Sequence, residues 1–354
     1  MRFENLYLSG TGRYLPRPLT VPEAEAAGLC EAQLIWRTGI ESVCVSDSEP
    51  GPELAARAAR AALDQAGCPP DEVSLLLHAS TWYQGHDLWP AALYVQRYGL
   101  PGSRCPAMEV RQMSNGGLAA IELAAGYLSA SPDRGHAMVT TGDRFCLPGY
   151  DRWRSDPGTI CGDGGTAAVL STRGGFARVL SIASFSDPGL EKIGRGSDPF
   201  GDAPLDTRQP VDLEAARAAL IKETGLDEVM DRIDAGQRET VKRALSEAGS
   251  ELPDMAWFVL PSLGEARLKA HFLDPFGLDL DRTTWSWGRH TGHLGAGDQI
   301  PGFGQLAERG LLKPGQRCLL AGVGAGFSWS AAVVELDQSP ARTGPPSPGE
   351  PAGT

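Results

Sequence analysis

The chain of 354 residues contains 42% hydrophobic and 21% charged residues, a balance typical of a globular protein with a sizeable core. Its length exceeds that of an ordinary domain and favours two similar halves or one large α/β unit. The formal net charge of -12 argues against a nucleic-acid partner, because binding phosphates requires a surplus of lysine and arginine.

The cysteines and the N-terminal residues indicate an intracellular protein. The seven cysteines are odd in number and widely scattered, with no CxxC pair, so we expect reduced thiols rather than disulfides or a metal site. The segment MRFENLYLSG lacks a basic region followed by an apolar run, and no apolar run approaches the length of a membrane span. We therefore expect a cytoplasmic protein that binds no metal and no membrane.

The first half of the chain, residues 1–175, alternates short apolar runs with longer alanine-rich stretches. This alternation is typical of a layered α/β protein. It predicts helices over 53–67 and 115–130 and strands over 73–80, 107–110, 137–142 and 165–171.

The second half, residues 176–337, repeats a similar order of elements, which suggests an internal duplication. A polar stretch near 194–235 reads as an insertion, either lying over a site or forming a surface excursion. The tail 338–354 is rich in proline and glycine and is predicted to be disordered. The remaining predicted elements are helices over 237–248 and 299–310 and strands over 256–261, 318–322 and 328–336.

Ser114 stands where a predicted strand meets the predicted helix 115–130. That helix is apolar on nearly every face, which predicts burial (Leu118, Ile121, Leu123, Ala124, Tyr127 and Leu128). A hydroxyl at its N-terminus lies beside unpaired backbone N–H groups and the positive end of the helix dipole, which can stabilise an oxyanion. Taken alone, the segment favours Ser114 as an ordinary N-cap.

The segment WSWGRHTGHLGAGDQIPG (285–302) places histidines and an aspartate in a glycine-rich turn. Serine is a poor nucleophile at neutral pH and needs a base, and His293 with an orienting carboxylate, Asp298, could supply one. His290 is the alternative base. The same pattern also fits a turn whose polar side chains bond their own backbone.

A second glycine-rich turn, GVGAGFSW (322–329), lies between two predicted strands. Its backbone N–H groups could complete an oxyanion hole, with Ala325 paired to the N–H of Ser114. Taken alone the turn is a weak signal, because glycine-rich turns between strands are common.

Together these segments resemble the β-ketoacyl-acyl-carrier-protein synthase III family over nearly the whole chain, to about residue 337. The resemblance implies a five-layered αβαβα thiolase fold with two pseudo-duplicated halves, a homodimer, and a pantetheine tunnel leading to a buried nucleophile. The matching segments, in the family's order, are RTGI (37–40), the helix after Ser114, GDGGTAAVL (162–170), PSLGEAR (261–267) and GVGAGFSWSAAVVEL (322–336).

The chain departs from the family at its catalytic positions. The family nucleophile is a cysteine, and Ser114 occupies its place. The family histidine falls on Ser262, and the family asparagine is replaced by the stretch that contains His293 and Asp298. The tryptophan that often stacks on the adenine of coenzyme A falls on Gln33, close to Trp36. A Ser-His-Asp set therefore replaces the family's Cys-His-Asn set.

This pattern resembles the serine-bearing starter-unit enzymes and acyltransferases of polyketide pathways. The resemblance implies an acyltransferase that moves an acyl group from acyl-coenzyme A or an acyl-carrier protein, through an ester on Ser114, to a carrier protein or a natural-product hydroxyl. The acyl thioester is then a substrate, and no permanently bound cofactor is expected. The alternatives are decarboxylative priming with malonyl-carrier protein and a non-catalytic partner of an active synthase.

Several side chains are candidates for contacts with the donor. Arg37 and Arg267 match family positions that border the tunnel mouth, and Arg152 and Arg154 are further candidates for binding phosphopantetheine or the carrier surface. All four could equally be solvated surface arginines. Four aromatic residues are candidates for lining an acyl pocket, although aromatic residues near a buried site more often serve as core packing: Trp82, Tyr83, Trp285 and Trp287.

Overall fold

The computed structural model describes residues 1–341, so most of the tail 338–354 that was predicted to be disordered lies outside the described residues. The strands are β1 (Tyr7–Tyr14), β2 (Pro18–Thr20), β3 (Ser42–Cys44), β4 (Val73–Ala79), β5 (Ala107–Val110), β6 (His136–Asp143), β7 (Gly164–Ser171), β8 (Ala177–Ser186), β9 (Met255–Val259), β10 (Arg317–Gly324) and β11 (Ser328–Leu336). The helices are α1 (Val21–Ala26), α2 (Ala32–Trp36), α3 (Gly51–Ala66), α4 (Ala91–Gly99), α5 (Gly116–Ala130), α6 (Leu213–Thr224), α7 (Leu226–Glu247), α8 (Glu265–Leu268), α9 (Asp274–Phe276), α10 (Trp285–Thr291) and α11 (Gln299–Glu308).

Nine strands form one mixed sheet in the order β5-β4-β6-β7-β1-β8-β11-β10-β9. In the first half, β4 and β6 are parallel, and β6, β7 and β1 follow as antiparallel neighbours. In the second half, β9 and β10 are parallel, and β10, β11 and β8 follow as antiparallel neighbours. The pairing pattern thus recurs in the two halves, while the boundaries 1–175 and 176–337 stay a prediction.

Helices α5 and α11 lie between strands of the two halves, and α3 and α7 cover outer faces. The main apolar core includes side chains of both central helices, such as Leu118, Ile121 and Phe303. This layering of helices and strands is the predicted thiolase arrangement, in which a buried helix can carry a residue into the middle of the molecule.

The predicted elements recur in the structure with boundaries shifted by a few residues, except that the helix expected over 237–248 is the end of the much longer α7. The predicted burial of α5 is wrong at one position, because Leu123 is 56% exposed while Leu118 and Leu128 are buried. Helix α5 therefore exposes one large apolar side chain.

The polar stretch 194–235 contains α6 and the beginning of α7. It packs against the loop that follows β6, where the Val211 N–H donates to the Gly149 carbonyl at 2.9 Å and the Leu213 N–H to the Ser155 carbonyl at 2.9 Å. The stretch is therefore held on the body of the protein by backbone hydrogen bonds.

The seven cysteines are all free thiols, as expected. Within residues 1–341, no group of histidine, cysteine and acidic side chains could hold a metal ion. No helix in the same part of the chain is long and apolar enough to cross a membrane.

Candidate active site

Ser114 lies between the edge strand β5 and the central helix α5. It belongs to a 3-10 turn, Met113–Asn115, directly before α5 begins at Gly116. Met113 has φ 49°, a left-handed backbone conformation that is uncommon and strained for a residue with a side chain. Strain of this kind clusters at functional sites, and here it immediately precedes the serine.

The Ser114 hydroxyl contacts a histidine rather than the end of the helix. Its Oγ lies 2.8 Å from Nε2 of His293. Asn115 occupies the N-cap position of α5 and makes no side-chain cap. The arrangement therefore does not support the N-cap interpretation of Ser114.

The backbone of His293 is fixed on both sides. Its N–H donates to the Ile160 carbonyl at 2.9 Å, and its carbonyl accepts from the Gly162 N–H at 2.9 Å. The alternative base, His290, lies instead at the surface, with Nδ1 3.6 Å from Glu41 Oε2. Of the two histidines, the structure places His293 beside Ser114.

Asp298 orients the His293 ring and is itself fully engaged. Its Oδ2 lies 2.5 Å from His293 Nδ1 and accepts from the Ser262 N–H at 2.7 Å, while Oδ1 accepts from the Leu294 N–H at 2.8 Å. An ionised carboxylate can only accept, so Nδ1 carries the proton. Nε2 is then left as the acceptor that faces the Ser114 hydroxyl.

Charge around His293 favours the protonated ring. Burial works against the imidazolium, but the negative charges of Asp298 and then Asp143 outweigh it, so the pKa of His293 is raised above its usual 6.5. A histidine with this environment can take a proton from a hydroxyl and return it to a leaving group.

Ser262, which the resemblance matches to the family histidine, helps to hold the Asp298 carboxylate. The residue is buried, and its backbone N–H donates to Asp298. A Cβ placed on Gly288 would lie 2.5 Å from Ser262 Oγ, so α10 packs directly against this side chain. The position therefore supports Asp298 through its backbone and has no imidazole to offer a substrate.

The turn between β10 and β11 lies against the segment that carries Ser114. A Cβ on Gly324 would lie 2.2 Å from the Gln112 carbonyl oxygen, so only glycine allows this approach. The Asn115 side-chain amide also donates to Ser330 Oγ at 2.9 Å, which links the Ser114 segment to β11. Ala325 lies in this turn, and its pairing with the Ser114 N–H in an oxyanion hole stays a prediction.

Three of the four predicted donor-binding arginines, Arg37, Arg154 and Arg267, line one surface pocket of about 420 Å³, called here the arginine pocket. Arg267 is held there by Asp156, with guanidinium-to-carboxylate distances of 2.7 Å. The side chain of Arg154 is 63% exposed and pairs with Asp151, three residues earlier in the chain, at 3.0 Å. Three guanidinium groups therefore share one surface opening, while the position of Arg37 and Arg267 at a tunnel mouth stays a prediction.

The prediction that Arg152 binds the donor is wrong. The residue is buried, and its guanidinium lies 2.9 Å from the fully buried carboxylate of Asp163. It also donates to the carbonyls of Phe145 at 2.6 Å and Cys161 at 3.0 Å. These contacts occupy Arg152 inside the protein, so it is a structural residue and faces no carrier protein.

The predicted aromatic residues separate into three environments. Trp82 packs edge-on against Tyr150 at 5.3 Å, within an apolar cluster that includes Cys161. Tyr83 is about half exposed. The prediction that Trp285 and Trp287 line an acyl pocket is not supported, because both are buried in packed cores.

Comparison with known proteins gives the family. Residues 245–336 match the model of the 3-oxoacyl-[acyl-carrier-protein (ACP)] synthase III C-terminal domain. The solved structure of the acyltransferase ChlB3 is 34% identical, with a TM-score of 0.87 over 95% of this chain and 99% of that chain. The chain belongs to the synthase III-like thiolase family.

Other relatives also match this chain over almost its whole length. The β-ketoacyl-[acyl-carrier-protein] synthase III of Rhizorhabdus wittichii is 28% identical over 336 residues, which are 92% of this chain and 97% of the relative. The structure of 3-oxoacyl-[acyl-carrier-protein] synthase III from Aquifex aeolicus is 18% identical, covers 93% of this chain and 99% of that chain, and has a TM-score of 0.74, which shows the shared fold.

Two polar residues beside the site, Asp143 and Asn115, were not among the site residues predicted from the sequence. Asp143 ends strand β6 and is fully buried near the turn after His293, and Asn115 links the Ser114 segment to β11. A charged residue directly after the apolar run 137–142 was the available signal for Asp143. Asn115 had no local signal, because its partners lie more than 200 residues away.

Proposed function

We propose that this enzyme is an acyltransferase that carries the acyl group as an ester on Ser114. The observation that carries the proposal is the continuous line of contacts from Ser114 Oγ to His293, at 2.8 Å, and from His293 to Asp298, at 2.5 Å. This geometry matches a Ser-His-Asp triad, in which the histidine and its orienting carboxylate activate the serine as a nucleophile.

In the proposed first half-reaction, His293 Nε2 removes the Ser114 proton as Oγ attacks the thioester carbonyl. The imidazolium then gives this proton to the departing thiolate, which leaves an ester on Ser114. In the second half-reaction, a thiol or hydroxyl acceptor attacks the ester, and its proton passes through Nε2 to Ser114. The N–H groups of Ser114 and Ala325 are proposed to hold the oxyanion.

The proposed donor is an acyl thioester of coenzyme A or of a carrier protein, used as a substrate in the cytoplasm. The arginine pocket supports this choice, because guanidinium groups pair well with phosphate. The proposed acceptor is a carrier protein or a natural-product hydroxyl in polyketide or other secondary metabolism, since the similar ChlB3 is described as an acyltransferase.

Decarboxylative priming is the second candidate, and it is favoured by the match to a synthase III domain. Against it stands Ser262, which occupies the position of the family histidine and is engaged with Asp298 through its backbone. Release of CO2 with a β-keto product from acyl donor and malonyl-carrier protein would establish condensation in place of simple transfer.

The test of acyl transfer is the intact mass of the protein after incubation with a panel of acyl-coenzyme A and acyl-carrier thioesters. We expect one acyl adduct per chain, located on Ser114 by peptide mapping and lost in Ser114→Ala. An adduct on another residue, or none with any donor while added acceptor is still acylated, would overturn the proposed intermediate.

We also propose a homodimer formed along the open edge of β5. Among the strands of residues 1–341, this one pairs only with β4, and its Met108 is 52% exposed. Leu93 and Leu123 add exposed apolar surface on α4 and α5, the helices that pack against β5. Unprotected strand edges with apolar neighbours favour pairing with a second chain, and light scattering at micromolar concentration would measure it.

A further inference from the structure

A second buried carboxylate, Asp143, lies beneath the turn that follows His293. It ends β6 and is fully buried. Oδ1 accepts from the Trp82 N–H at 2.7 Å and the Thr81 N–H at 2.9 Å, and Oδ2 accepts a longer hydrogen bond from the Ala296 N–H at 3.4 Å. One carboxylate thus joins the loop after β4 to the turn between His293 and Asp298.

The packing around this turn leaves little room for movement. A Cβ on Gly295, which has φ 60°, would lie 2.4 Å from Asp143 Oδ2, so the backbone of the turn touches the carboxylate directly. A Cβ on Gly117 would lie 2.4 Å from the Ala296 carbonyl oxygen. The turn is therefore held between Asp143 and the first turn of α5, which follows Ser114.

The loop after β4, whose N–H groups donate to Asp143, is itself held by hydrogen bonds from the Gln84 side chain. The Gln84 side-chain amide donates to the Trp82 carbonyl at 3.1 Å and the Gly142 carbonyl at 3.0 Å. Its Oε1 lies 3.1 Å from Nε2 of His78, a fully buried histidine whose burial lowers its pKa to about 4 and keeps it neutral. The N–H donors to Asp143 are thus held in place by a second buried network.

The charge of Asp143 acts on His293. The acidic groups that raise the pKa of His293 are Asp298, Asp143 and Asp156, in that order, against the effect of burial. Burial in turn raises the pKa of Asp143 to about 7, while the backbone N–H groups of Trp82, Thr81 and Ala296 and the charge of His293 favour its ionised form. The two groups therefore influence each other's ionisation.

We propose that Asp143 is a positioning residue for His293. It fixes the turn from Leu294 to Gly297, and its negative charge stabilises the imidazolium that forms when Ser114 gives up its proton. Asp143 itself exchanges no proton with the substrate. This role rests on the proposed acyl transfer through Ser114.

The test compares Asp143→Asn with wild type in single-turnover acylation of Ser114 followed by intact mass across pH 5.5–9. Without the charge, the imidazolium loses stabilisation, so we expect the maximal acylation rate to fall about 10- to 100-fold. The donor concentration at half-maximal rate should stay within about twofold, and the acid limb of the pH profile should move to lower pH. Glu308→Gln is the matched control, because it removes an internal carboxylate paired with Arg13, and it should leave rate and profile unchanged.

An unshifted acid limb would overturn the role of the charge, even if the rate falls. A second variant, Asp143→Glu, keeps the charge but displaces the turn from Leu294 to Gly297. It should therefore lower the acylation rate without moving the acid limb of the pH profile to lower pH. A Glu variant as fast as wild type would overturn the positioning role, and this holds even if the Asn variant fails to fold. If wild type itself forms no adduct on Ser114 with any donor, the proposed acyl-enzyme fails first.

Discussion

The Ser114 site, formed by Ser114, His293 and Asp298, differs from the arginine pocket in how its polar groups are satisfied. In the Ser114 site, Asp298 is almost fully buried and accepts three hydrogen bonds, and the His293 backbone is bonded on both sides. In the arginine pocket, Arg154 is well exposed, and only Arg267 is fixed by a buried carboxylate, Asp156.

The buried groups of the Ser114 site suit catalysis, and the exposed arginines of the arginine pocket suit recognition of the acyl donor. Groups that are held by buried partners are already in position when a reaction begins, which lowers the cost of rearranging charge. Exposed side chains on long stems adapt to a partner but contribute little each, because water screens them. Substitutions in the Ser114 site should therefore have large effects on rate, and those in the arginine pocket small effects on donor binding.

The largest effect is expected from Asp298→Asn. The amide would disturb the tautomer of His293. Its NH2 group would also be a hydrogen-bond donor where the Ser262 and Leu294 N–H groups need an acceptor. The acylation rate should therefore fall about 10³- to 10⁴-fold. Rapid quenching with intact mass detection measures this rate, and donor affinity should change little. A loss of less than tenfold would show that His293 does not depend on this carboxylate.

The second largest effect is on stability, at Arg152. Arg152→Met should leave the buried Asp163 carboxylate unpaired and lower the free energy of unfolding by about 3–5 kcal/mol. Urea denaturation followed by circular dichroism measures the change. The variant should keep the wild-type donor affinity at low temperature where it stays folded, and a loss of donor affinity with unchanged stability would restore Arg152 as a binding residue.

The third prediction concerns pH. His293 must be neutral to accept the Ser114 proton, and its pKa is raised in the folded protein by Asp298 and Asp143 against the effect of burial. Acylation should therefore rise with pH through a midpoint above 6.5 and fall about tenfold per unit below that midpoint. Single-turnover rates measure the profile, and a midpoint below 6.5 would mean that burial dominates over the two carboxylates.

The smallest effect is expected in the arginine pocket. Arg37→Ala should raise the KM for the donor about 3- to 10-fold with an unchanged kcat, because one exposed cation contributes about 1 kcal/mol to binding phosphate. Arg238→Ala, a half-exposed arginine on α7 outside the pocket, is the matched control and should change neither constant. Equal effects of the two variants would mean that Arg37 acts only through overall charge.

The sequence by itself determined the α/β pattern, the strand-to-helix entry at Ser114 and the pairing of His293 with Asp298. These features are local: apolar periodicity reports which face of an element is buried, and a glycine-rich turn brings residues five apart within contact. The same locality explains why most predicted strands and helices recur with shifts of only a few residues, the early start of α7 at Leu226 excepted.

Only the tertiary structure decided which distant groups meet. Ser114 and His293 are 179 residues apart and contact each other because α5 lies between the two halves of the sheet. Arg152 and Arg154 are two residues apart, yet one is buried against Asp163 and the other is exposed. Burial is set by the packing of segments that are remote in sequence, so neither the fate of Arg152 nor the support of His293 by Asp143 could be read from neighbouring residues.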